Sequence, residues 1–323
     1  MDAGWEAPTP SLPRASGRQV AGTGSSRARG DAVTKPVEVT NPDKLLWPAL
    51  AITKRRYVDY LDAVRDRMLP WLRERPLTLV RAPDGVGGER YYQKDTPRYA
   101  PSWIRTVAIP APSAKREVAY TVCNDTSTLA WLGNQAALEF HPAPVRRDRL
   151  ERPDLLTVDI DPPDDAFDAA VEVALLVLEV TDDLGLTTLV KTSGGKGLHV
   201  VMPIRRHVSP EELRHAATRL TQIVEERRPD LVTAAFRKAA RGGRVMLDPS
   251  RNSIGATVVA PYSPRARDDA TVSFPVLPEE LRSIDPRDFT VLTVPDLLDR
   301  PGPENWAAAL AEPSQRVPRS LLT

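Results

Sequence analysis

The run Leu155-Leu156-Thr157-Val158-Asp159-Ile160-Asp161 restricts this chain to folds that carry paired carboxylates at the end of a buried strand. Side chains two residues apart on a strand share a face, so Asp159 and Asp161 lie side by side. Adjacent carboxylates raise each other's pKa unless a cation compensates them, and Mg²⁺ or Mn²⁺ prefers such oxygen ligands. The pattern therefore indicates a metal site or a strand end with two solvated acids.

A glycine-rich loop follows about thirty residues later. The apolar runs Leu189–Thr192 and Leu198–Val201 flank Ser193-Gly194-Gly195-Lys196-Gly197. Glycines allow a tight turn and let backbone N–H groups approach an anion, while Lys196 adds a positive charge. The loop is not a Walker A loop, because Gly197 and a strand follow Lys196. It predicts a phosphate site on a strand–loop–strand edge. The alternative is an ordinary glycine hairpin in which His199 is a hydrogen-bonded core residue.

A third short apolar run, Arg244-Val245-Met246-Leu247-Asp248, also ends in an acid and lies in a basic stretch. A single aspartate after a strand is usually a cap or a turn residue. Three carboxylates at strand ends beside a phosphate loop are, however, what phosphoryl transfer with bridging metal ions requires.

The order of these three motifs resembles the archaeo-eukaryotic primase superfamily, and more narrowly the polymerase domain of bacterial ligase D. The resemblance extends over roughly residues 38–282. The further segments that carry it are Asn41-Pro42-Asp43-Lys44-Leu45-Leu46-Trp47-Pro48, Thr53-Lys54, Arg75-Pro76-Leu77, Tyr91-Tyr92-Gln93-Lys94 and Pro261-Tyr262-Ser263-Pro264-Arg265-Ala266-Arg267.

The resemblance implies roles for individual residues at the reaction centre. It identifies Asp159, Asp161 and Asp248 as catalytic residues that bind two divalent ions, Mn²⁺ or Mg²⁺. It places His141 near the nucleotide sugar, in a family that tends to favour ribonucleotides. The residues implied to hold the triphosphate of the incoming nucleotide are Ser193, Gly194, Lys196, His199 and Arg265.

The resemblance also implies a set of DNA contacts. The residues that match a 5′-phosphate site are Asn41, Lys44 and Lys54. Tyr91 and Tyr92 stand where the family usually has two phenylalanines that pack against DNA, and stacking aromatics beside cations suit unpaired nucleic acid. The lysines alone are equally typical of a solvated helix face, and the tyrosines of strand packing. Arg251 resembles a loop arginine that contacts DNA.

Two departures from the family pattern affect the DNA contacts rather than the chemistry. Pro249-Ser250 replaces the usual tyrosine-leucine after the third aspartate, in the loop that carries Arg251. Asp95 stands where a histidine is common and puts an acid near the expected DNA phosphate.

Composition sets outer bounds on the function. The 323 residues include 44 Lys+Arg and 43 Asp+Glu, so a nucleic-acid partner requires the basic residues to be segregated into patches. The single cysteine, Cys123, excludes an internal disulfide and fits a reducing compartment. No apolar stretch is long enough to span a membrane. We expect no membrane partner and a cytoplasmic, nucleoid-associated protein.

The predicted architecture is α+β: a primase-polymerase fold whose mixed sheet, like an RNA-recognition-motif palm, has helices packed against it. We expect a disordered segment over 1–35, a primase-polymerase domain over 36–285, and a C-terminal wrapping tail over 286–323. Within the domain, DNA-end binding is expected in about 36–150 and the catalytic palm in about 151–285.

Cap signals place four helices in this scheme. Thr53 is predicted to cap a helix that runs to Leu72. A second helix is expected over Ser127–Leu138. A third, over Asp168–Leu184, is expected to stop at Gly185. A fourth opens at Ser209-Pro210-Glu211-Glu212, a capping-box sequence.

The sequence thus predicts a stand-alone, template-directed nucleotidyltransferase that acts at DNA ends or 5′-phosphorylated gaps in end joining or gap-filling repair. Nucleoside triphosphates are its expected substrates, and the resemblance implies Ku and a separate DNA ligase as partners. Two alternatives remain open: a primase that makes primers de novo, and a non-catalytic scaffold that binds DNA ends. The scaffold would need the basic and aromatic positions but not the carboxylates.

Overall fold

The computed structural model describes residues 35–111, 115–164, 166–299 and 306–323, whose strands form four sheets. Of the segment predicted to be disordered, residues 1–34 lie outside the described residues. The elements of the first half are β1 (Leu45–Trp47), β2 (Ile52–Thr53), α1 (Lys54–Leu72), β3 (Leu77–Arg81), β4 (Tyr91–Gln93), β5 (Arg105–Ala111), β6 (Arg116–Val122), α2 (Thr126–Asn134) and β7 (Ala137–Pro142). Those of the second half are β8 (Leu155–Asp161), α3 (Phe167–Asp183), β9 (Leu189–Thr192), β10 (Leu198–Pro203), α4 (Pro210–Arg227), β11 (Val232–Thr233), α5 (Lys238–Arg241), β12 (Val245–Asp248), β13 (Pro275–Val276) and α6 (Trp306–Ala311).

The helix α1 begins where the sequence predicts. The Thr53 hydroxyl accepts a hydrogen bond from the Arg56 amide at 3.2 Å and so caps the first turn. Its buried face includes Tyr57, Leu61 and Val64 at the three- and four-residue spacing of an amphipathic helix. This face packs α1 against α2, and the Tyr57 hydroxyl donates to the Ala137 carbonyl on β7.

The helix α2 is shorter than predicted. It ends at Asn134, and the residues expected to complete it instead begin β7. Ala136 adopts a φ of +53°, which turns the chain out of the helix. The composition of this stretch conceals the turn, because alanine and leucine favour a helix and the left-handed position itself, Ala136, is not a glycine.

The second half of the described chain forms a six-stranded mixed sheet in the order β11-β12-β8-β10-β9-β13. Only β11 and β12 run parallel among these pairs, and β9 and β10 form the predicted glycine hairpin. The acidic strand β8 lies near the centre, between β10 and β12. This placement buries its apolar residues and brings its carboxyl end next to polar groups from two neighbours.

The helices α3 and α4 pack against this sheet and against each other. The chain leaves α3 through Gly185 at a φ of +68°, as the predicted C-terminal glycine requires. Ser209 and Glu212 form the predicted capping box at the start of α4. The second half therefore has the α+β arrangement expected for a palm.

Short helices dominate the described residues after Leu281. Their apolar side chains are buried, and the ring of Trp306 meets that of Trp71 edge-on at a centroid distance of 5.4 Å. The tail thus contributes to the core of the domain. Among the described residues, no helix has the length and apolar character needed to cross a membrane.

Candidate active site

Strand register brings two of the three predicted carboxylates directly together. Asp159 on β8 pairs with Asp248 on β12 and, on its other side, with His199 on β10. Asp161 follows two residues along β8 and points to the same face. The three acids therefore lie on one face of the sheet, on the neighbouring strands β8 and β12.

Cationic side chains compensate these acids. The Nε atom of Arg251 lies 2.9 Å from Asp159 Oδ2 and 3.4 Å from Asp248 Oδ2. Arg241 donates from Nη1 to Asp161 Oδ2 at 2.9 Å. Burial opposes the ionisation of Asp159, but His199 and Arg251 outweigh it and hold the pKa of that carboxyl well below its usual range. Sequence reasoning assigned Arg251 only to DNA and gave Arg241 no specific contact.

The glycine loop is organised by its own serine. The Ser193 hydroxyl accepts hydrogen bonds from the amides of Gly195 and Gly197, both at 3.2 Å. Gly194 has a φ of +67° and its carbonyl accepts from the Thr271 hydroxyl at 2.7 Å. These contacts hold the loop in one shape against the strand ends.

Lys196 extends from this loop towards the acids. Its Nζ atom lies 3.0 Å from Asp164 Oδ1 and 3.6 Å from Asp161 Oδ1. About a third of its side chain remains exposed. The loop thus places a partly exposed positive charge beside the carboxylates.

A buried lysine that sequence reasoning did not assign supports His199. Lys191 Nζ lies 2.7 Å from His199 Nδ1 and donates to the Ser273 hydroxyl at 2.8 Å. On its other side, His199 Nε2 lies 3.2 Å from Asp159 Oδ1. Burial, together with the charge of Lys191, lowers the pKa of His199 to about 4, so its ring is neutral at pH 7.

A buried glutamate, also missed from the sequence, joins two of the predicted nucleotide contacts. Glu139 Oε2 lies 2.8 Å from His141 Nε2 and 3.1 Å from Arg265 Nε. Arg265 in turn donates from Nη1 to the Ser193 carbonyl at 3.0 Å. In the sequence, Glu139 is a single acid inside an apolar strand, and a buried acid of that kind needs partners.

Most of the predicted site residues share one cleft of about 570 Å³. Asp248 and Gly194 lie directly beside it through their contacts with Arg251 and Arg265, while Asn41, Lys44, Lys54 and Tyr91 do not line it. The predicted residues that line it are Tyr92, His141, Asp159, Asp161, Ser193, Lys196, His199, Arg251 and Arg265.

The three predicted 5′-phosphate residues form a separate group. The Lys44 amide donates to the Asn41 carbonyl at 3.1 Å, and the Lys54 amide donates to the Lys44 carbonyl at 2.8 Å. Burial, together with the charge of Lys44, lowers the pKa of Lys54. The Lys44 ammonium lies 2.7 Å from Asp84, an acid that no sequence motif indicated.

The two tyrosines lie on β4, at one edge of its sheet. Tyr92 is 73% exposed and Tyr91 is 38% exposed, so neither is a core residue. The guanidinium of Arg81 lies 5.7 Å from the centre of the Tyr91 ring. The exposed Tyr92 ring lines the cleft, so it is better placed to stack on a base than to pack within the sheet.

The two departures from the family pattern have local structural partners. Asp248 caps the turn of Pro249–Asn252 by accepting from the Ser250 amide at 2.9 Å. Asn252 fixes the same turn to β8, because its amide group exchanges two 2.8 Å hydrogen bonds with the backbone of Thr157. This clamp directs Arg251 at the acids. Asp95 lies 2.7 Å from Arg116 on β6, which balances its charge.

The residues at the strand ends fit the divalent ions that the resemblance implies. Three carboxylates supply the hard oxygen donors that Mg²⁺ and Mn²⁺ prefer, and the arginines show that the acids require positive charge beside them. As they stand in the described ranges, no three His, Cys, Asp or Glu side chains are arranged to hold a metal ion.

An α+β palm that carries three carboxylates beside a glycine loop is the arrangement that the sequence predicts for a primase-polymerase domain. The family model described as LigD, primase-polymerase domain, matches residues 53–305, and the chain belongs to this family. The predicted family and α+β fold class are thereby confirmed.

Curated relatives and a solved structure agree with this family. The chain is 36% identical over 272 residues to the multifunctional non-homologous end joining protein LigD of Mycolicibacterium smegmatis, which covers 82% of this chain and 35% of that protein. It is 34% identical over 280 residues to the bifunctional non-homologous end joining protein LigD of Bacillus subtilis, covering 83% of this chain and 44% of the relative. The chain therefore spans less than half of the length of these relatives.

The solved structure is the polymerase domain from Mycobacterium tuberculosis ligase D in complex with DNA. It superposes with a TM-score of 0.77 at 33% identity and covers 84% of this chain and 96% of that chain. The match extends the agreement from sequence to fold.

Proposed function

We propose that the chain is a template-directed polymerase that adds nucleotides, preferably ribonucleotides, at DNA ends or short 5′-phosphorylated gaps. One observation carries the proposal: the acidic strand ends and the glycine loop lie on one cleft with basic side chains from three other parts of the chain. Phosphoryl transfer requires this combination of positioning and charge stabilisation.

The triphosphate of the incoming nucleotide would lie along the glycine loop. Lys196 and Arg265 supply positive charge there, Ser193 holds the loop in shape, and His199 lines the same cleft with its Nε2 facing Asp159. Holding the triphosphate at several points orients its α-phosphate for attack by a primer 3′-hydroxyl.

Asp159, Asp161 and Asp248 would hold two Mn²⁺ or Mg²⁺ ions. Such ions, when bound, lower the pKa of a primer hydroxyl and stabilise charge on the reacting phosphate and on the departing pyrophosphate. The acids themselves are prepared for ion binding, because His199 and Arg251 keep Asp159 ionised. Arg241 and Arg251 balance the carboxylate charge in the structure described.

The DNA contacts divide between two places. Asn41, Lys44 and Lys54 would bind the 5′-phosphate on the far side of a gap, since they form a compact basic group outside the cleft. Tyr92 and Arg251 would contact DNA at the cleft, with Tyr91 beside them on the same strand. We include Ku and a DNA ligase as proposed partners, because end joining requires end recognition and sealing.

Extension of a labelled primer across a short 5′-phosphorylated gap tests this function. Parallel reactions contain ribo- or deoxyribonucleotides with Mn²⁺ or Mg²⁺. Asp159→Ala should reduce metal-dependent extension on the order of a thousandfold or more while DNA affinity persists. Asp182→Ala, which removes an exposed acid on α3, is the matched control and should extend normally.

Three outcomes would redirect the proposal. Substantial extension by Asp159→Ala would overturn the metal assignment. Synthesis on single-stranded template without a primer would identify a primase. Binding of gapped DNA with no extension under any condition would identify an end-binding scaffold.

A further inference from the structure

Glu139 occupies an unusual place for a carboxylate. It lies on β7 within the apolar run Ala137–Phe140, and only 6% of its surface is exposed. A buried carboxylate is tolerated only when its oxygens are fully partnered. Glu139 Oε1 accepts from the Ala266 amide at 2.9 Å, and Oε2 faces His141 Nε2 and Arg265 Nε.

These contacts determine which nitrogen of His141 carries its proton. His141, Arg265 and the Ala266 amide hold the pKa of Glu139 at about 2 against the cost of its burial, so Glu139 is ionised and can only accept hydrogen bonds. Burial lowers the pKa of His141, which keeps the ring neutral at pH 7. The single ring proton must therefore lie on Nε2, and Nδ1 is left with a lone pair.

The lone pair of His141 is available to a ligand. The ring lines the same cleft as Asp159 and Ser193, and within the described part of the chain Nδ1 has no hydrogen-bond partner. Glu139 thus presents a fixed hydrogen-bond acceptor to the cleft. The same carboxylate oxygen forms an ion pair with Arg265, whose guanidinium reaches the glycine loop.

We propose that Glu139 is a positioning residue for sugar selection, which holds His141 so that Nδ1 accepts a hydrogen bond from the 2′-hydroxyl of the incoming nucleotide. The inference rests on the proposed polymerase function and identifies the group that sets its ribonucleotide preference. By restraining Arg265 as well, Glu139 couples the sugar contact to the triphosphate contact of the same nucleotide.

This arrangement discriminates between sugars because only a ribonucleotide brings a hydroxyl to the fixed ring nitrogen. A ribonucleotide satisfies Nδ1, whereas a deoxyribonucleotide leaves it unpaired on a side chain that is only 12% exposed. A residue that only stabilised the fold would affect both nucleotides equally. The ratio of kcat/KM for ribo- over deoxyribonucleotide therefore reports on Glu139 independently of stability.

Two substitutions at Glu139 separate the tautomer from the restraint on the ring. In Glu139→Gln, the Ala266 amide can only donate, so the glutamine carbonyl must face it and the new NH₂ must face His141. His141 would then accept at Nε2 and carry its proton on Nδ1. A 2′-hydroxyl can accept as well as donate, so this inversion is measured at the ring itself. Glu139→Ala removes the restraint on the ring, and we expect it to lower the sugar ratio about tenfold or more. Glu74→Ala removes a carboxylate bound by Arg147 and Asn124 outside the cleft and should leave the ratio unchanged.

The ¹⁵N resonances of the His141 ring supply a measurement that does not depend on activity. Wild-type protein should show a proton on Nε2 only, and Glu139→Gln should move it to Nδ1. A proton on Nδ1 in the wild type would overturn the inference even if the variants do not fold, and so would an unchanged sugar ratio in folded Glu139→Ala. Wild-type protein that fails to extend any primer would refute the polymerase function instead, while the ring resonances still decide the role of Glu139.

Discussion

At the scale of single residues, the site depends on buried charges that hold other side chains. Glu139 orients His141 and Arg265, and Lys191 supports His199 from behind. Neither Glu139 nor Lys191 lines the cleft, and the sequence motifs predicted no role for either residue. Preorganised sites need such supports, because a ligand-binding group that moves loses much of its effect.

The ionisation of Glu139 predicts a specific pH dependence of stability. Its folded-state pKa of about 2 lies below its ordinary value of 4.5, so the unfolded chain binds this proton more readily. The stabilisation that ionised Glu139 gives the folded state is therefore complete above pH 4.5 and is lost as pH falls towards 2. It amounts to on the order of 3 kcal/mol. Urea denaturation from pH 6 to pH 3 should show a shallower loss for Glu139→Gln than for wild type.

The difference in stability between wild type and Glu139→Gln isolates the contribution of Glu139, because the other acids and His199 titrate in both proteins. Wild-type and Glu139→Gln curves that remain parallel through this range would show that the carboxylate is not specially stabilised in the folded state.

At the scale of elements, the register of β8 against its two neighbours creates the site. The hairpin of β9 and β10 approaches β8 so closely that Gly197 leaves no room for a side chain. A Cβ atom at that position would lie 2.1 Å from the Ile160 carbonyl oxygen, between the two acids of β8. The glycine is thus required by strand packing as well as by the loop.

Gly197→Ala should therefore displace β10 from β8 and destabilise the protein by about 1–3 kcal/mol, since a backbone clash cannot be relieved by a rotamer change. Gly195→Ala is the matched control in the same loop, because a Cβ there would approach only to 3.4 Å from the Ser193 hydroxyl. Chemical denaturation of both variants measures the difference. Equal stability of the two would mean that the close approach of Gly197 to β8 does not limit the fold.

Local sequence patterns predicted the elements well where caps and glycines mark them. Thr53, Gly185 and the Ser209 capping box give helix ends that the structure reproduces, and the glycine hairpin appears between its two strands. The boundary of α2 was wrong, because the left-handed turn at Ala136 has no distinctive residue.

The supports of the site could not be predicted for a different reason. Glu139 and Lys191 are 52 residues apart in sequence, and each meets its partners only through tertiary packing. A charged residue within an apolar strand was the available signal. It indicates that a partner must exist but does not identify that partner. The order of the motifs predicted the residues that line the cleft. It carried no information about Glu139 and Lys191, which lie behind them.

At the scale of the whole molecule, charge is segregated rather than abundant. The formal net charge is only +1, yet Lys196, Arg251 and Arg265 face the cleft and Lys44 and Lys54 form a second basic group. Affinity for DNA should therefore come from a few phosphate contacts, and binding should fall with salt accordingly. The pairing of Lys44 with Asp84 offers a way to test the second group.

Lys44→Ala should weaken binding to 5′-phosphorylated gaps and reduce the slope of log affinity against log salt by about 1. Asp84→Asn should raise the affinity for the same gaps, because it releases Lys44 from a competing ion pair. The expected gain is up to about fivefold, since exposed pairs of this kind contribute at most about 1 kcal/mol. Fluorescence anisotropy at several salt concentrations measures both effects.

Gaps with a 5′-hydroxyl provide the control that separates a specific site from general attraction. Both variants should match wild type on that substrate, because the phosphate that Lys44 would contact is missing. An equal change on 5′-phosphate and 5′-hydroxyl gaps would show that Lys44 acts as a nonspecific charge, and the 5′-phosphate would then have to be bound elsewhere. Wild-type protein that does not distinguish the two gaps would remove Asn41, Lys44 and Lys54 as a 5′-phosphate site while leaving the chemistry at the cleft untouched.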